Sequence, residues 1–242
     1  MDQHKAVLCP EPKRPEMTSV GSGPGTDNRY ELHVCRGLQG DCPFALWRDS
    51  SVVRALEDIL SSSSWLGRVA GPAHRGALRH HVRFKVALAA CPNACTMPQI
   101  RDVGIIARLA PQGIGPGCNG CGSCRKACRE EAITMREDRA RLHRERCVGC
   151  GACTHACPQE AIESEGMRLR VLVGGRMGRH PRWAEELCIV EVQSVPGVLL
   201  AFLDYLGREA RPPEGAAAVV ERTGLEPLRQ HVLRTTTGSS LG

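Results

Sequence analysis

The chain has 242 residues, 14 of them cysteine, with 32 Lys+Arg against 26 Asp+Glu for a formal charge of +6. No apolar run reaches the roughly 18–20 residues that a membrane span needs, and residues 1–29 lack the continuous apolar stretch of a signal peptide. A reducing, cytoplasmic compartment is therefore expected, where many thiols usually mean metal and not disulfides. The basic excess is modest, and the three Trp, two Tyr and three Phe leave little for base stacking, so nucleic-acid binding is not expected.

Residues 1–29, with four prolines and three glycines, read as a flexible N-terminal tail. Tyr30–Val34 alternates apolar and polar and predicts a short strand ending at Cys35. Residues 49–60 repeat apolar positions at Val52, Val53, Leu56, Ile59 and Leu60, which predicts a helix capped by Asp49 or Ser50. Residues 61–77 are Ser-, Gly- and Pro-rich and predict a loop. Residues 82–90 alternate, with Val82, Phe84, Val86 and Leu88 on one face and Arg83, Lys85, Ala87 and Ala89 on the other. That strand delivers the chain to Cys91. Strands are expected at 104–109 and 167–173, the latter running into Gly174-Gly175. Residues 183–188 read as helical and 189–192 as extended. Pro196 suits the first turn of a helix with Leu199, Leu200, Leu203 and Leu206 on one side. Short helices near 214–222 and 225–233 follow, then a frayed tail over 236–242.

Residues 118–128 read C-N-G-C-G-S-C-R-K-A-C, and 147–158 read C-V-G-C-G-A-C-T-H-A-C-P. Both are C-x2-C-x2-C-x3-C, the run that holds a [4Fe-4S] cluster in bacterial ferredoxins. Close thiolates on a glycine-containing loop can reach three corners of one cubane, and the fourth cysteine serves the other cluster. Cys118, Cys121, Cys124 and Cys157 are therefore expected to hold one cluster, and Cys147, Cys150, Cys153 and Cys128 the second. The tails REEAIT and PQEAIE make this an internal repeat. Zinc is the competing reading, but zinc sites usually use two separated C-x2-C pairs. Residues 114–165 are read as a ferredoxin-type insert with two [4Fe-4S] clusters.

A second constellation comprises Cys35, Cys42, Cys91 and Cys95. The stretch FKVALAACPNACTMPQIRDVGI, with its CPNAC, resembles the sirohaem and [4Fe-4S] domain of sulfite and nitrite reductases. VLVGGRMGRHP resembles a glycine- and arginine-containing segment of the dissimilatory-type sulfite reductases, which also carry a ferredoxin module after this region. The resemblance implies an α+β fold, a mixed α/β reductase-like domain over 30–113 and 166–235 interrupted by the insert. It implies a third [4Fe-4S] cluster on Cys35, Cys42, Cys91 and Cys95, with Cys95 bridging to a sirohaem iron. Arg36, Arg101, Arg176, Arg179 and His180 become candidate contacts to the sirohaem carboxylates, and Arg83 and Lys85 candidate catalytic cations. Arg83 and Lys85 share a strand face that suits an anion pocket and a solvent face equally. Cys35 to Cys42 is C-x6-C, one residue longer than the family's C-x5-C, so either the loop bulges or one thiol is not a ligand. The larger members have two pseudo-repeated lobes, and this chain resembles one.

The function expected from the resemblance is an oxidoreductase that takes electrons from a donor protein and reduces a small oxyanion, sulfite or nitrite. A second subunit or a second copy would complete the pocket. The alternative is a non-catalytic iron–sulfur electron-transfer protein or a subunit of a larger reductase complex. Cys188, in an apolar stretch, is expected to be a small buried hydrophobe.

Overall fold

The computed structural model describes residues 29–69 and 83–238. Val82, the stretch 70–77 of the expected loop, nearly all of the N-terminal tail and residues 239–242 lie outside them. The chain opens with β1 (Tyr30–Val34), α1 (Ser51–Ser62), α2 (Ser64–Val69), β2 (Phe84–Ala89) and β3 (Val103–Arg108). A middle section follows, comprising β4 (Pro111–Ile114), α3 (Ser123–Ala127), β5 (Ile133–Arg136), β6 (Arg139–Leu142), α4 (Ala152–His155) and β7 (Ile162–Ser164). The chain returns with β8 (Arg168–Val173), β9 (Glu185–Val190), α5 (Val195–Glu209), α6 (Ala216–Thr223) and α7 (Leu225–Gly238). No helix among the described residues is long and apolar enough to cross a membrane.

Five strands form one sheet in the order β1-β2-β3-β8-β9. The first three are parallel, and β8 and β9 join antiparallel. The period-2 pattern of β2 places Phe84, Val86 and Leu88 on the face that meets Val103, Ile105, Leu169, Val171 and Val173. Helices α1, α2, α5, α6 and α7 cover that face with Leu56, Leu60, Trp65, Phe202, Leu206, Val219 and Leu228, all nearly inaccessible. Phe84 anchors the contact, edge-on to Trp65 at 5.6 Å and tilted against Phe202 at 6.4 Å. The other face carries small residues, because the turn at Pro98–Ile100 packs directly beneath it. A Cβ on Gly104 would stand 2.4 Å from the Pro98 carbonyl oxygen.

Several expectations change. Residues 64–69 are helical, not loop, because Trp65 and Leu66 bury against the sheet. Residues 185–190 form strand β9, not a helix, because ladder pairing with β8 overrides the helix propensity of Ala-Glu-Glu-Leu. Leu200 is 56% exposed and lies off the buried side of α5, which uses Val198, Leu199, Phe202, Leu203 and Leu206 instead. α7 continues to Gly238, through the start of the tail expected to fray. The α1 helix begins at Ser51, where the Asp49 carboxylate accepts the Ser51 N–H at 2.8 Å, so Asp49 supplies the side-chain contact and Ser50 makes no cap bond. Cys188 is half-buried against the core, and burial pushes its thiol up to about 11.

The middle section builds its own small core from Cys124, Ile133, Ala140, Cys153 and Ile162. Its two-stranded sheets are β4–β7 and β5–β6, both antiparallel. The β4–β7 pair starts at Pro111 and so closes the section three residues before the expected boundary at 114.

Candidate functional site

Strands β1, β2 and β3 run parallel, so their C-terminal ends meet at one edge of the sheet. Cys35 follows β1 directly, and Cys91 lies two residues beyond β2. The register pairs Val34 with Leu88, which sets these two cysteines side by side. Cys35 then caps the turn at Arg36–Gln39, its sulfur accepting the Gly37 N–H at 3.4 Å. Gly37 is pressed against Ala90 and Cys42, with its Cβ position 2.8 Å from the Ala90 Cβ and 3.5 Å from the Cys42 Cβ. The longer C-x6-C loop thus folds back, and Leu46 N–H bonds the Ala90 carbonyl at 2.9 Å. Burial pushes the Cys91 thiol up, and the nearby thiols of Cys35, Cys42 and Cys95 add to the rise. Cys35 and Cys91 are buried, Cys42 is intermediate and Cys95 is exposed. Asn93 Nδ2 donates to the Cys95 sulfur at 3.0 Å.

The two cysteine runs of the middle section repeat in three dimensions. Gly120 and Gly122 have φ of 73° and 75°, and their counterparts Gly149 and Gly151 have 73° and 72°. These left-handed turns curl each loop before a short helix, α3 or α4. Ala132 N–H points at the Cys128 sulfur at 3.3 Å, and Ala161 N–H at the Cys157 sulfur at 3.3 Å. Burial raises the Cys124 thiol, with Cys157 and Cys118 contributing, whereas Cys153 rises through burial with Cys147 and Cys150 contributing. Cys128 lines a small cavity together with Cys147, Cys150 and Cys153. Cys128 therefore stands with Cys147, Cys150 and Cys153, and Cys157 with Cys118 and Cys124. No His, Cys, Asp or Glu group among the described residues is gathered tightly enough to hold a single metal ion. A four-iron cluster spreads its thiolates more widely than one tetrahedral zinc does.

The expected cations are distributed unevenly. Arg83 lies 3.4 Å from the Glu31 carboxylate, and Lys85 Nζ donates to the Arg83 carbonyl at 3.3 Å. Both are partly buried, so this strand face is neither plain solvent face nor open pocket. Arg101 is half-buried, and its Nε has no hydrogen-bond partner. Arg176 is tied down, with Nε on the His180 carbonyl at 2.8 Å and Nη2 3.0 Å from the Glu221 carboxylate. Arg36, Arg179 and His180 are exposed. The Gly174-Gly175 pair brings this loop onto the 99–102 segment. Gly174 N–H bonds the Asp102 carbonyl at 2.9 Å, and Gly175 N–H bonds the Arg101 carbonyl at 3.0 Å.

Two further residues of the segments around β2 and β3 escaped the sequence reading. Asp102 is largely buried, and its carboxylate accepts the Lys85 backbone N–H at 2.8 Å. Burial pushes it up to about 6 against the pull of that N–H and of Lys85 and Arg101. Thr96, also buried, donates its hydroxyl to the Leu88 carbonyl at 3.0 Å. An acid immediately before a buried strand, and a threonine immediately after CPNAC, were the available signals.

A mixed sheet backed by helices, with four thiols at one edge and eight more in the middle section, is the frame of a thiol-rich domain whose class the family match gives as iron–sulfur. Residues 34–239 match the family described as the nitrite and sulphite reductase 4Fe-4S domain, and the chain belongs to that family. Over 144 residues it is 39% identical to the coenzyme F420-dependent sulfite reductase of Methanocaldococcus jannaschii, covering 59% of this chain and 23% of that protein. The chain thus spans about a quarter of the length of that relative. The crystal structure of dissimilatory sulfite reductase I is similar at a TM-score of 0.50 and 14% identity, over 83% of this chain and 51% of that one. The NirA protein of Mycobacterium tuberculosis gives a TM-score of 0.44 at 15% identity, over 81% of this chain and 26% of that one.

Proposed function

We propose that the chain is a sulfite- or nitrite-reductase-like oxidoreductase that passes electrons through [4Fe-4S] clusters to a sirohaem, where a small oxyanion is reduced. The observation that carries this reading is the convergence of Cys35, Cys42, Cys91 and Cys95 at the edge where β1, β2 and β3 end, with Cys95 alone exposed among the four. A thiolate at the mouth of the set can face a second group, and the other three are shielded behind it. The inaccessible, unpartnered Nε of half-buried Arg101 fits a site built for an anion that the chain itself does not supply. When bound, a sirohaem would supply a redox-active iron and a delocalised ring that accepts electrons.

The chain's residues do the rest. Cys35, Cys42, Cys91 and Cys95 would hold the third cluster, with exposed Cys95 the thiolate turned toward the sirohaem. Arg101, Arg36, Arg179 and His180 balance peripheral carboxylates. Arg83, paired with Glu31, and Lys85, whose ammonium donates to the Arg83 carbonyl, would set positive charge toward the oxyanion and stabilise the charge it gains. The eight cysteines of residues 118–157 hold two further clusters in a ferredoxin-type insert. An electron-donor protein, and a second subunit or second copy that covers the open face, belong to this reading.

One observation favours a second reading, a non-catalytic electron-transfer subunit. Arg176 is neutralised by Glu221 and Arg83 by Glu31, which leaves fewer cations for a carboxylate-rich pigment. Anaerobic purification with iron counting and pigment extraction decides. About twelve non-haem irons plus one haem iron per chain, with haem bands that shift on adding sulfite or nitrite, support the reductase. About eight irons without pigment overturn it in favour of the electron-transfer subunit.

A further inference from the structure

The two halves of the insert share a geometry but not a charge. Residues 118–146 hold eight Lys+Arg and five Asp+Glu, whereas residues 147–165 hold no Lys or Arg and three glutamates. At matching positions of the repeat, Arg125, Lys126 and Arg129 stand where the second copy has Thr154, His155 and Pro158. Cluster binding does not require these cations, since the second run has the same loop and the same N–H to sulfur contact without them.

The halves also face different ways. The second run lies against the main sheet. Gly151 would place a Cβ 2.9 Å from Leu109, and Leu109 N–H bonds the Gly149 carbonyl at 2.7 Å. Leu109 extends β3, so this run sits at the same sheet edge as Cys35 and Cys91. The first run instead packs under the β5–β6 hairpin, where a Cβ on Gly120 would stand 2.3 Å from the Asp138 carbonyl oxygen. Its Cys121 is exposed. Arg125, Lys126 and Arg141 are exposed too, and no carboxylate among the described residues stands within ion-pair distance of them, whereas Arg136 and Arg146 are paired with Glu137 and Glu131.

We infer that the exposed cationic face beside Cys121, formed by Arg125 and Lys126 on α3, is the docking surface for an acidic electron-transfer protein, and that electrons enter at the first run and leave through the second. This rests on the cluster assignment proposed above. An acidic partner is steered to this face over long range, and its redox centre meets the half of the insert farther from the sheet. One electron passes from the reduced donor to the cluster held by Cys118, Cys121, Cys124 and Cys157; the donor is oxidised by one electron, and no bond is made or broken. Its next acceptor is the cluster of Cys128, Cys147, Cys150 and Cys153, placed beside the sheet edge that carries Cys91.

The test follows cluster bleaching by stopped-flow absorbance in the anaerobically purified full chain. The reductants are a reduced acidic [2Fe–2S] ferredoxin and, separately, uncharged photoreduced deazaflavin. Arg125→Glu combined with Lys126→Glu should slow reduction by ferredoxin at least tenfold at low ionic strength and leave the deazaflavin reaction unchanged. Arg54→Glu, on the exposed side of α1, should behave as wild type. The wild-type ferredoxin rate should fall steeply with added salt. An unaltered ferredoxin rate in the double variant, an equal loss in Arg54→Glu, or a salt-independent rate overturns the docking face alone. Absence of any bleaching by deazaflavin in the wild type overturns the cluster assignment beneath it.

Discussion

The Thr96 hydroxyl donates to the Leu88 carbonyl at 3.0 Å, and the same carbonyl accepts the Cys35 N–H at 3.0 Å. One oxygen at the end of β2 thus joins the loop of Cys91 and Cys95 to the end of β1. Thr96→Val keeps the side-chain volume and removes one of these bonds. The expected loss is about 1 kcal/mol of stability, read as a lowered Tm. In anaerobically purified protein the loss should fall selectively on the third cluster, with iron dropping toward about eight per chain while the insert's clusters persist. Uniform loss from all sites would contradict a local role for Thr96.

The crossed ligation proposed for residues 118–157 makes a prediction about pairs of variants. Cys118→Ser with Cys157→Ser removes two ligands of one site, so its iron content should match that of Cys118→Ser alone. Cys118→Ser with Cys128→Ser removes a ligand from each site and should lose about four more irons per chain. The opposite pattern would mean that each fourth cysteine serves its own run.

Two glycines should respond in opposite directions to alanine. At Gly175 a Cβ would stand 2.7 Å from the carbonyl oxygens of both Arg101 and Gln99, which are backbone and cannot swing away. Gly175→Ala should cost about 1–3 kcal/mol and displace the loop carrying Arg176 and Arg179. Gly197, near the start of α5, has nothing closer to its Cβ position than Thr236 Cγ2 at 3.9 Å. Gly197→Ala should stabilise by about 0.5 kcal/mol by lowering the entropy of the unfolded chain. Thermal melts of both variants check the signs.

What the sequence made legible was local. The cysteine spacings, the alternation in β2 and the paired tails after Cys128 and Cys157 are short-range signals, and the structure has strand β2 and a matching pair of glycine turns at the two cysteine runs. What it hid depended on distant partners. The Glu185-Glu186 pair favours a helix by itself, but Arg170 on β8 meets the Glu186 carboxylate at 2.5 Å and the ladder fixes a strand. The serines before Trp65 read as loop because the ring they bury lies against Phe84, across a long gap in sequence. Asp102 gave no sign of its role, since the N–H it accepts belongs to Lys85 on a neighbouring strand.

Asp102 makes stability depend on pH in a defined direction. Its carboxyl is pushed up to about 6 by burial, above the ordinary 3.8, although the Lys85 N–H and the charges of Lys85 and Arg101 oppose the rise. The folded chain therefore binds the Asp102 proton more tightly than the unfolded chain. The associated stability is fully present below about pH 4 and is lost as pH rises through about 6, on the order of 3 kcal/mol in all. Asp102→Asn keeps an oxygen to accept the Lys85 N–H and cannot ionise. Relative to wild type, the variant should thus gain stability between pH 4 and 7 and level off above. Denaturant melts of both proteins across that range measure the difference directly, and parallel pH profiles would rule out a buried, ionising Asp102.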